Sequence, residues 1–307
     1  MNLVTKKKIG VLMGGLSSER EVSLASGAAV LKALVDGGYD AVAIDVGRDA
    51  GEQVRKAGIG IAFNALHGKY GEDGAIQGLL EIMGVPCTGS GILASAMGMN
   101  KIISKTIFRA YGLPVGPFMI VASKDRAALG MAEKEIGYPL VVKPSSEGSS
   151  VGVSVVHRSE DLQPAAKLAF QYDPEIIVEK YIKGMEVQVG ILGERALGAI
   201  EIVPKDDFYS YKAKYEKGGS EHFFPARVPD DVYRRTLDAG LLAHRALGCR
   251  GYSRVDFILD NDGVPYILEV NTLPGMTATS LLPEIAQGAG ISFPSLVEEI
   301  LRLALAG

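Results

Sequence analysis

Two short apolar segments joined by a tight turn are the most constraining feature of this sequence. Residues 252–259 and 264–271 have the β-branched and aromatic content of strands, and the turn between them ends in Asp262-Gly263, a dipeptide typical of β-hairpins. The fold must therefore place these two strands side by side and antiparallel. Their apolar character is interrupted at four positions: Arg254, Asp256, Glu269 and Asn271.

The four polar residues of the hairpin are predicted to meet on one face. Side chains alternate along a strand, so Arg254 points the same way as Asp256, and Glu269 the same way as Asn271. Such alternation is also typical of a solvated sheet face. Three oxygen donors beside an arginine on adjacent strands nevertheless favour a Mg²⁺ site formed by Asp256, Glu269 and Asn271, with Arg254 stabilising anionic oxygens next to it.

Bulk properties narrow the function classes. The chain has 307 residues, enough for two or three domains, and a net charge of −4 without a Lys/Arg block, which argues against nucleic-acid or anionic-membrane partners. Cys87 and Cys249 are isolated, so neither a disulfide framework nor a zinc site is indicated. No signal peptide and no membrane-spanning segment is recognisable, and we expect a cytoplasmic protein without membrane insertion.

The first hundred residues alternate between strand and helix patterns. This rhythm predicts an open parallel sheet, whose ligands bind outside the carboxyl ends of the strands. The loops at 14–21 and 66–74 follow the first and third strands and are therefore the candidate sites. They contain Glu19 and His67, and the sequence leaves open whether His67 faces a substrate.

A smaller α+β domain is predicted from about residue 100, with a Gly/Ser-rich loop at 144–152 between two strands. Such a loop exposes backbone N–H groups that can surround phosphate oxygens. Lys143 ends the strand before the loop and would complete a phosphate clamp, with Lys101 acting from the opposite side. The pattern is not a Walker A sequence.

The remaining chain is predicted to supply the rest of a nucleotide site. Residues 179–182 end an apolar strand at a domain junction, where backbone groups and apolar side chains suit an adenine, and Glu186 suits ribose hydroxyls. The long polar loop at 204–225 is rich in aromatic residues and lysine and is interpreted as a lid. His157 and His244 are expected at the surface, and no Ser-His-Asp or Cys-His arrangement is evident.

Nine segments together resemble the D-alanine:D-alanine ligases of the ATP-grasp superfamily. They are GGLSSEREVS at 14–23, LHG at 66–68, GEDG at 71–74, VKP at 142–144, EGSSVG at 147–152, VEK at 178–180, AKY at 213–215, RVDF at 254–257 and LEVNTLPGMTATSL at 268–281. The resemblance covers nearly the whole chain. One departure is Asn100, where these ligases more often have Asp; either residue caps a helix.

The resemblance implies an ATP-grasp architecture of mixed α/β and α+β character. An N-terminal open parallel α/β sheet domain would comprise residues 1–99, a central α+β domain with the phosphate loop 100–183, and a C-terminal α+β domain with the lid and metal site 184–307. ATP would bind between the last two. Homodimers are usual in the family, so a homodimer is expected.

The resemblance also implies a reaction. ATP phosphorylates the carboxylate of one D-alanine, the amine of a second attacks the acyl phosphate, and D-alanyl-D-alanine, ADP and phosphate are released for peptidoglycan precursor synthesis. Two Mg²⁺ (or Mn²⁺) ions held by the hairpin residues would neutralise the phosphates.

The same resemblance implies roles for individual residues in catalysis, in ATP binding and in substrate binding. Catalytic residues are Glu19, Ser149, Tyr215, Arg254, Gly275 and Ser280. ATP is bound by Lys101, Lys143, Ser149, Glu179, Lys180, Ile182 and Glu186. The D-alanines are bound by Glu19, His67, Lys214, Arg254, Ser280 and Leu281. Glu19, Ser149 and Tyr215 are expected to latch the lid, which excludes water from the acyl phosphate.

Three other functions fit the sequence less well. A D-alanine:D-lactate ligase is associated with His in place of the lid tyrosine, so Tyr215 favours the dipeptide. A glutathione synthetase-like ligase fits the substrate-side segments less well. A nucleotide-binding regulator without activity would lack a metal ligand or the phosphate lysine, and Lys143, Asp256, Glu269 and Asn271 are all present.

Overall fold

The computed structural model describes residues 7–123, 125–148, 150–204 and 219–306. These residues form three sheets, each built from a separate stretch of the chain. None of the helices in these ranges combines the length and the apolar character that crossing a membrane requires.

The first sheet is parallel, as predicted, with the strand order β2-β1-β3. All six residues of its central strand are buried, which is expected of a parallel sheet that is covered on both faces. Its elements are β1 (Ile9–Gly14), α1 (Arg20–Asp36), β2 (Ala41–Val46), α2 (Ala50–Ala57), β3 (Ile61–Asn64), α3 (Ala75–Ile82) and α4 (Ile92–Met99).

The second sheet is antiparallel, in the order β4-β7-β5-β6, and helices α6 and α7 form a separate small core with it, whereas α5 packs against β12 (Pro265–Asn271) of the third sheet. The loop predicted to bind phosphate connects β5 to β6. The elements are α5 (Lys101–Ala110), β4 (Phe118–Ala122), α6 (Arg126–Ile136), β5 (Leu140–Pro144), β6 (Ser154–Val156), α7 (Ser159–Ala169) and β7 (Glu175–Lys180). Asn100 caps α5, since its Oδ1 accepts from the N–H groups of Ile102 and Ile103, both at 3.0 Å.

The third sheet is also antiparallel, in the order β10-β9-β8-β11-β12. The predicted hairpin forms strands β11 and β12, and β12 is an edge strand of this sheet. Its elements are β8 (Met185–Leu192), β9 (Arg195–Pro204), β10 (Ser220–Phe223), α8 (Asp230–Ala246), β11 (Tyr252–Leu259) and β12 (Pro265–Asn271), followed by α9 (Leu281–Gly288) and α10 (Phe293–Ala306).

The last helix, α10, joins the third sheet to the first. It packs against α1, and the buried side chains of both helices, such as Val30 and Ile300, belong to one apolar cluster with β1. The three sheets lie within 1–99, 100–183 and 184–307, whereas this core joins the first range to the third. That each of the three ranges forms an independent domain remains a prediction.

The surface position expected for His244 is wrong, whereas His157 is exposed as expected. His244 is 1% exposed, and its Nδ1 lies 2.7 Å from Ser253 Oγ on β11. The cause is helical periodicity: His244 continues the buried stripe of Thr236 and Gly240 at four-residue spacing, which faces the sheet.

Candidate active site

The hairpin brings its four polar residues to one face, as predicted. Arg254 pairs with Asn271, and Asp256 pairs with Glu269, in the register between β11 and β12. This depends on an irregularity, because Phe257 pairs with Ile267 and leaves Leu268 as an extra residue in β12. In an uninterrupted ladder, Leu268 would lie opposite Asp256, so the bulge is what turns Glu269 to the shared face.

Cations hold the carboxylates on this face. Arg254 donates from Nε to Asp256 Oδ1 at 2.8 Å and from Nη2 to Oδ2 at 2.9 Å, and Asp256 is only 3% exposed. Lys101 Nζ lies 3.4 Å from Glu269 Oε2. The two negative charges are therefore stabilised by positive charges from two different elements.

The same face offers the donor set of a divalent cation. Asp256, Glu269 and Asn271 present carboxylate and amide oxygens, which suit Mg²⁺ or Mn²⁺. Within the described ranges, no group of three or more His, Cys, Asp and Glu side chains is arranged to hold a metal, and the predicted set contains two carboxylates only. Asn271 Oδ1 accepts from the N–H of Leu273 at 3.0 Å. The residue types fit the predicted ions, and Asn271 would have to share or release this bond.

Two adjoining cavities open onto the hairpin. The larger, of about 510 Å³, lies between the second and third sheets. All of the described residues predicted to bind ATP line it: Lys101, Lys143, Glu179, Lys180, Ile182 and Glu186. The smaller, of about 140 Å³, lies between the hairpin and the loops of the first sheet. It is lined by the described residues predicted to act on the amino acids: Glu19, His67, Arg254, Gly275, Ser280 and Leu281.

Four residues line both cavities: Lys101, Glu147, Gly148 and Glu269. They come from the start of α5, from the Gly/Ser loop and from β12. Lys101 Nζ donates to the carbonyl oxygen of Glu147 at 2.6 Å, and thereby ties the Gly/Ser loop to α5. This junction is where a group held in one cavity would meet a group held in the other.

A buried charge cluster lies in the wall of the larger cavity. Glu179 accepts from Lys143 Nζ at 2.6 Å and lies 2.9 Å from Lys105 Nζ. Burial alone would raise the pKa of Glu179, but the two ammonium groups outweigh burial and lower its pKa to about 2. Burial lowers the pKa of Lys105 to about 8. Sequence reasoning missed Lys105, because nothing in a helical pattern marks which lysine faces a cavity.

The side chain of Lys180, which lines the larger cavity, is held by two backbone carbonyl groups. Its Nζ donates to the carbonyl oxygens of Gly137 at 3.1 Å and Tyr138 at 2.9 Å. With the Glu179 carboxylate occupied by lysines, the strand end at 179–182 offers chiefly backbone groups and the apolar side chain of Ile182. The adenine contact through the backbone at 179–182 stays a prediction.

His67 is held in place by a chain of polar contacts at the edge of the smaller cavity. Its Nδ1 lies 3.0 Å from Glu72 Oε1, and its Nε2 lies 3.3 Å from Ser26 Oγ. Ser26 Oγ in turn accepts from the N–H of Met276 at 3.2 Å. Sequence reasoning missed Glu72 and Ser26 as site residues, although Glu72 lies in the 66–74 loop that it singled out.

The first turns of two helices border the smaller cavity. Glu19 directly precedes α1, Ser280 directly precedes α9, and Glu19, Ser280 and Leu281 all line this cavity. The first N–H groups of a helix have no partner within the helix and carry its positive dipole end. Ser280 Oγ accepts from the N–H of Thr277 at 3.0 Å. A Cβ at Gly275 would come within 2.8 Å of Ser280 Oγ, so any larger residue there would displace this hydroxyl.

Three predicted site residues, Ser149, Lys214 and Tyr215, lie outside the described residues, as does the 205–218 part of the predicted lid. The latch between Glu19, Ser149 and Tyr215 therefore remains a prediction.

Comparison with known proteins gives one consistent result. The model of the D-ala D-ala ligase C-terminus matches residues 107–302, and that of the N-terminus matches residues 48–90. A D-alanine–D-alanine ligase from Geotalea uraniireducens is 63% identical over 97% of this chain and 96% of its own length. One from Geobacter sulfurreducens is 59% identical over 96% of this chain and 93% of its own.

Solved structures agree with these sequence relatives. The D-alanine–D-alanine ligase from Bacillus anthracis superposes with a TM-score of 0.88 at 39% identity, over 97% of each chain. The B. anthracis ligase complexed with ATP gives 0.86 at 36% identity, over 98% of each chain. The VanG D-Ala:D-Ser ligase from Enterococcus faecalis gives 0.86 at 31% identity, over 97% of this chain and 99% of the other.

Proposed function

This chain belongs to the D-alanine–D-alanine ligase family, and we propose that its two adjoining cavities divide the reaction, with ATP in the larger cavity and both D-alanines in the smaller. The chain is an ATP-dependent ligase with the ATP-grasp fold, and it forms D-alanyl-D-alanine for peptidoglycan synthesis. The observation that carries this division is the junction at Lys101, Glu147, Gly148 and Glu269, where the two cavities share their walls.

The division suits a two-step ligation. A carboxylate does not react with an amine, because its oxygen is a poor leaving group. In the first step, the γ-phosphoryl group moves from ATP to the carboxylate of one D-alanine. In the second step, the amine of the other D-alanine attacks the acyl carbon, and phosphate leaves. Both steps take place where the cavities meet, which limits the access of water to the acyl phosphate.

Charge stabilisation at the junction supports the first step. Phosphoryl transfer is catalysed mainly by positioning and by neutralising charge on the phosphate oxygens. Lys101 at the junction and Lys143 in the wall of the larger cavity supply the ammonium groups. The backbone of the Gly/Ser loop, with Ser149, supplies further donors. The adenine lies against the backbone at 179–182, and Glu186 binds the ribose hydroxyls.

The hairpin would hold the divalent cations. Asp256, Glu269 and Asn271 are the residues that fit Mg²⁺ or Mn²⁺, and these ions supply positive charge next to the β- and γ-phosphates when bound. Arg254 is oriented by its two bonds to Asp256, and it stabilises the oxyanion that forms on the acyl carbon, together with the N–H of Gly275.

The smaller cavity provides opposite charges for the two ends of its substrates. Glu19 binds the ammonium group of the first D-alanine, and His67 borders the same substrate. Ser280, the N–H of Leu281 at the start of α9, and Lys214 bind the carboxylate of the second. An anion at a helix N-terminus is stabilised by the unpaired N–H groups and by the helix dipole.

We further propose a homodimer in the cytoplasm. The requirement for ATP supports the location. Exposed apolar side chains on α3 and α4, namely Ile82, Ile92 and Leu93, support self-association. Light scattering of the purified protein is expected to give twice the mass of the chain.

The deciding experiment measures phosphate release with ATP, Mg²⁺ and one amino acid at a time. We expect release with D-alanine and none above background with L-alanine. Adding D-lactate to D-alanine should yield no ester product, because Tyr215 favours the amine nucleophile. Formation of the ester at a rate comparable to the dipeptide would assign the chain to the D-alanine:D-lactate ligases. Release without dependence on D-alanine would refute the proposed substrate.

D-Serine is the alternative second substrate that one structural relative suggests, since the VanG ligase is named for it. The 63% and 59% identical relatives are named for D-alanine in both positions, which favours D-alanine here. Mass spectrometry of the product from equal amounts of D-alanine and D-serine separates the two, and we expect D-alanyl-D-alanine to predominate.

A further inference from the structure

Lys105 is a fully buried lysine that no step of the ligation has yet used. It lies on α5, its side chain is 1% exposed, and its Nζ lies 2.9 Å from Glu179 Oε2 on β7. The same Nζ donates more weakly to the carbonyl oxygen of Ile267 on β12, at 3.4 Å. One ammonium group thus contacts the second and the third sheets, at the wall of the larger cavity.

Lys105 shares its carboxylate partner with a second lysine. Glu179 is shared between Lys105 and Lys143, each of which takes one carboxylate oxygen, whereas the negative charge of Glu269, which pairs with Lys101, acts on Lys105 from farther away. In direct contact, two buried ammonium groups therefore compete for one carboxylate, and a further anion beside them would stabilise both. Lys143 lies at the end of β5, directly before the Gly/Ser loop that is proposed to bind the phosphates of ATP. Those phosphates are therefore the anions that can reach this lysine.

Sharing decides how tightly Glu179 holds Lys143. With Lys105 present, Lys143 has one carboxylate oxygen and competes with a second cation for the charge. Without Lys105, both oxygens and the whole negative charge would fall to Lys143, and a neutral buried pair would form. Lys143 would then have to break that pair to bind phosphate.

We propose that Lys105 is a positioning residue that holds Glu179 and so keeps the Lys143 ammonium available to the phosphates of ATP. The inference rests on the proposed function of the larger cavity and extends it to a residue that acts through two others.

The test is steady-state kinetics of Lys105→Met, which keeps the length of the side chain and removes its charge. The KM for ATP is expected to rise roughly 10- to 100-fold, which is the range of one charge-assisted hydrogen bond, while the KM for D-alanine stays within about twofold. Lys134→Met, at an exposed site on α6, is the matched control and should change neither constant. An unchanged KM for ATP in Lys105→Met, or equal rises in both constants, would overturn the proposal.

A second pair of variants separates positioning from direct contact and from loss of folding. Lys105→Met/Glu179→Gln leaves no buried carboxylate to capture Lys143, so its KM for ATP should match that of Glu179→Gln. A difference of about tenfold or more would mean that Lys105 contacts the nucleotide itself, and the proposal would be wrong. This comparison does not require Lys105→Met to fold alone.

The activity of the wild-type protein distinguishes a failure of the proposed function from a failure of the role proposed for Lys105. If the wild-type chain releases phosphate with D-alanine but the variants behave otherwise than expected, only the role of Lys105 fails. If the wild-type chain shows no such activity, the proposed function fails first.

Discussion

At the scale of single residues, the contacts of Asp256 make the role of its carboxylate testable. Both oxygens accept from Arg254, and the side chain is almost fully buried. Asp256→Asn keeps the shape but removes the charge that would hold both Arg254 and a metal ion. We expect turnover, measured as D-alanine-dependent phosphate release at saturating ATP and Mg²⁺, to fall at least about 100-fold.

The control for this variant lies in the same hairpin. Asp262 is exposed in the turn between β11 and β12, so Asp262→Asn should retain full turnover. Near wild-type turnover in Asp256→Asn would contradict both the metal site and the orientation of Arg254.

His244 makes a prediction about stability rather than activity. Burial lowers its pKa to about 4, whereas the unfolded chain titrates near 6.5. Between these two values the unfolded state binds the proton and the folded state does not, so stability decreases as the pH falls from 6.5 towards 4. The free energy of unfolding should drop by up to about 3 kcal/mol over this interval from this residue alone.

Urea unfolding at pH 7 and pH 4.5 measures this effect. His244→Gln removes the titrating group, so the difference between the two pH values should shrink, whatever the stability of the variant at pH 7. His157→Gln, at an exposed site, should keep the wild-type difference. An unchanged pH dependence in His244→Gln would show that other groups cause it.

At the scale of elements, the cap of α5 matters because this helix carries both Lys101 and Lys105. Asn100→Ala removes the acceptor for two N–H groups and should lower the free energy of unfolding by about 1 kcal/mol. Asn100→Asp should be at least as stable as the wild type, because a negative charge favours the helix N-terminus. Thermal melting of both, beside Thr106→Ala on the exposed side of α5, checks this; equal melting of all three would contradict the cap.

The element scale also shows what sequence can and cannot predict. Strands and helices were predictable where apolar periodicity is strong, and the polar face of the hairpin was predictable from alternation. The bulge at Leu268 was not, since a single extra residue leaves no signature in composition, yet it decides that Glu269 faces Asp256. Lys105 was missed for a related reason: its importance depends on which strands α5 packs against, and this is set by contacts distant in sequence.

At the scale of the whole molecule, the C-terminal helix closes the core of the N-terminal sheet. Residues of α1, β1 and α10 share one buried cluster, together with Leu192 and Tyr252 of the third sheet. No local pattern predicts such a contact, because the sequence of a helix does not show which other element its buried residues pack against. Its consequence is that the walls of the smaller cavity, which come from the first and third sheets, are held together by a common core.

This shared core predicts a single cooperative unfolding transition for the two sheets. Ile300 on α10 is 0% exposed within the cluster, so Ile300→Ala should lower the free energy of unfolding by about 2–5 kcal/mol through lost burial and a cavity. Ile103, 44% exposed on α5 and outside the apolar surface proposed for self-association, is the matched control, and Ile103→Ala should cost less than about 1 kcal/mol. Amide hydrogen exchange followed by mass spectrometry should show β1 and β11 losing protection together in Ile300→Ala. If β1 lost protection while β11 kept that of the wild type, the two sheets would be separate folding units, and the cavity between them would not owe its geometry to α10.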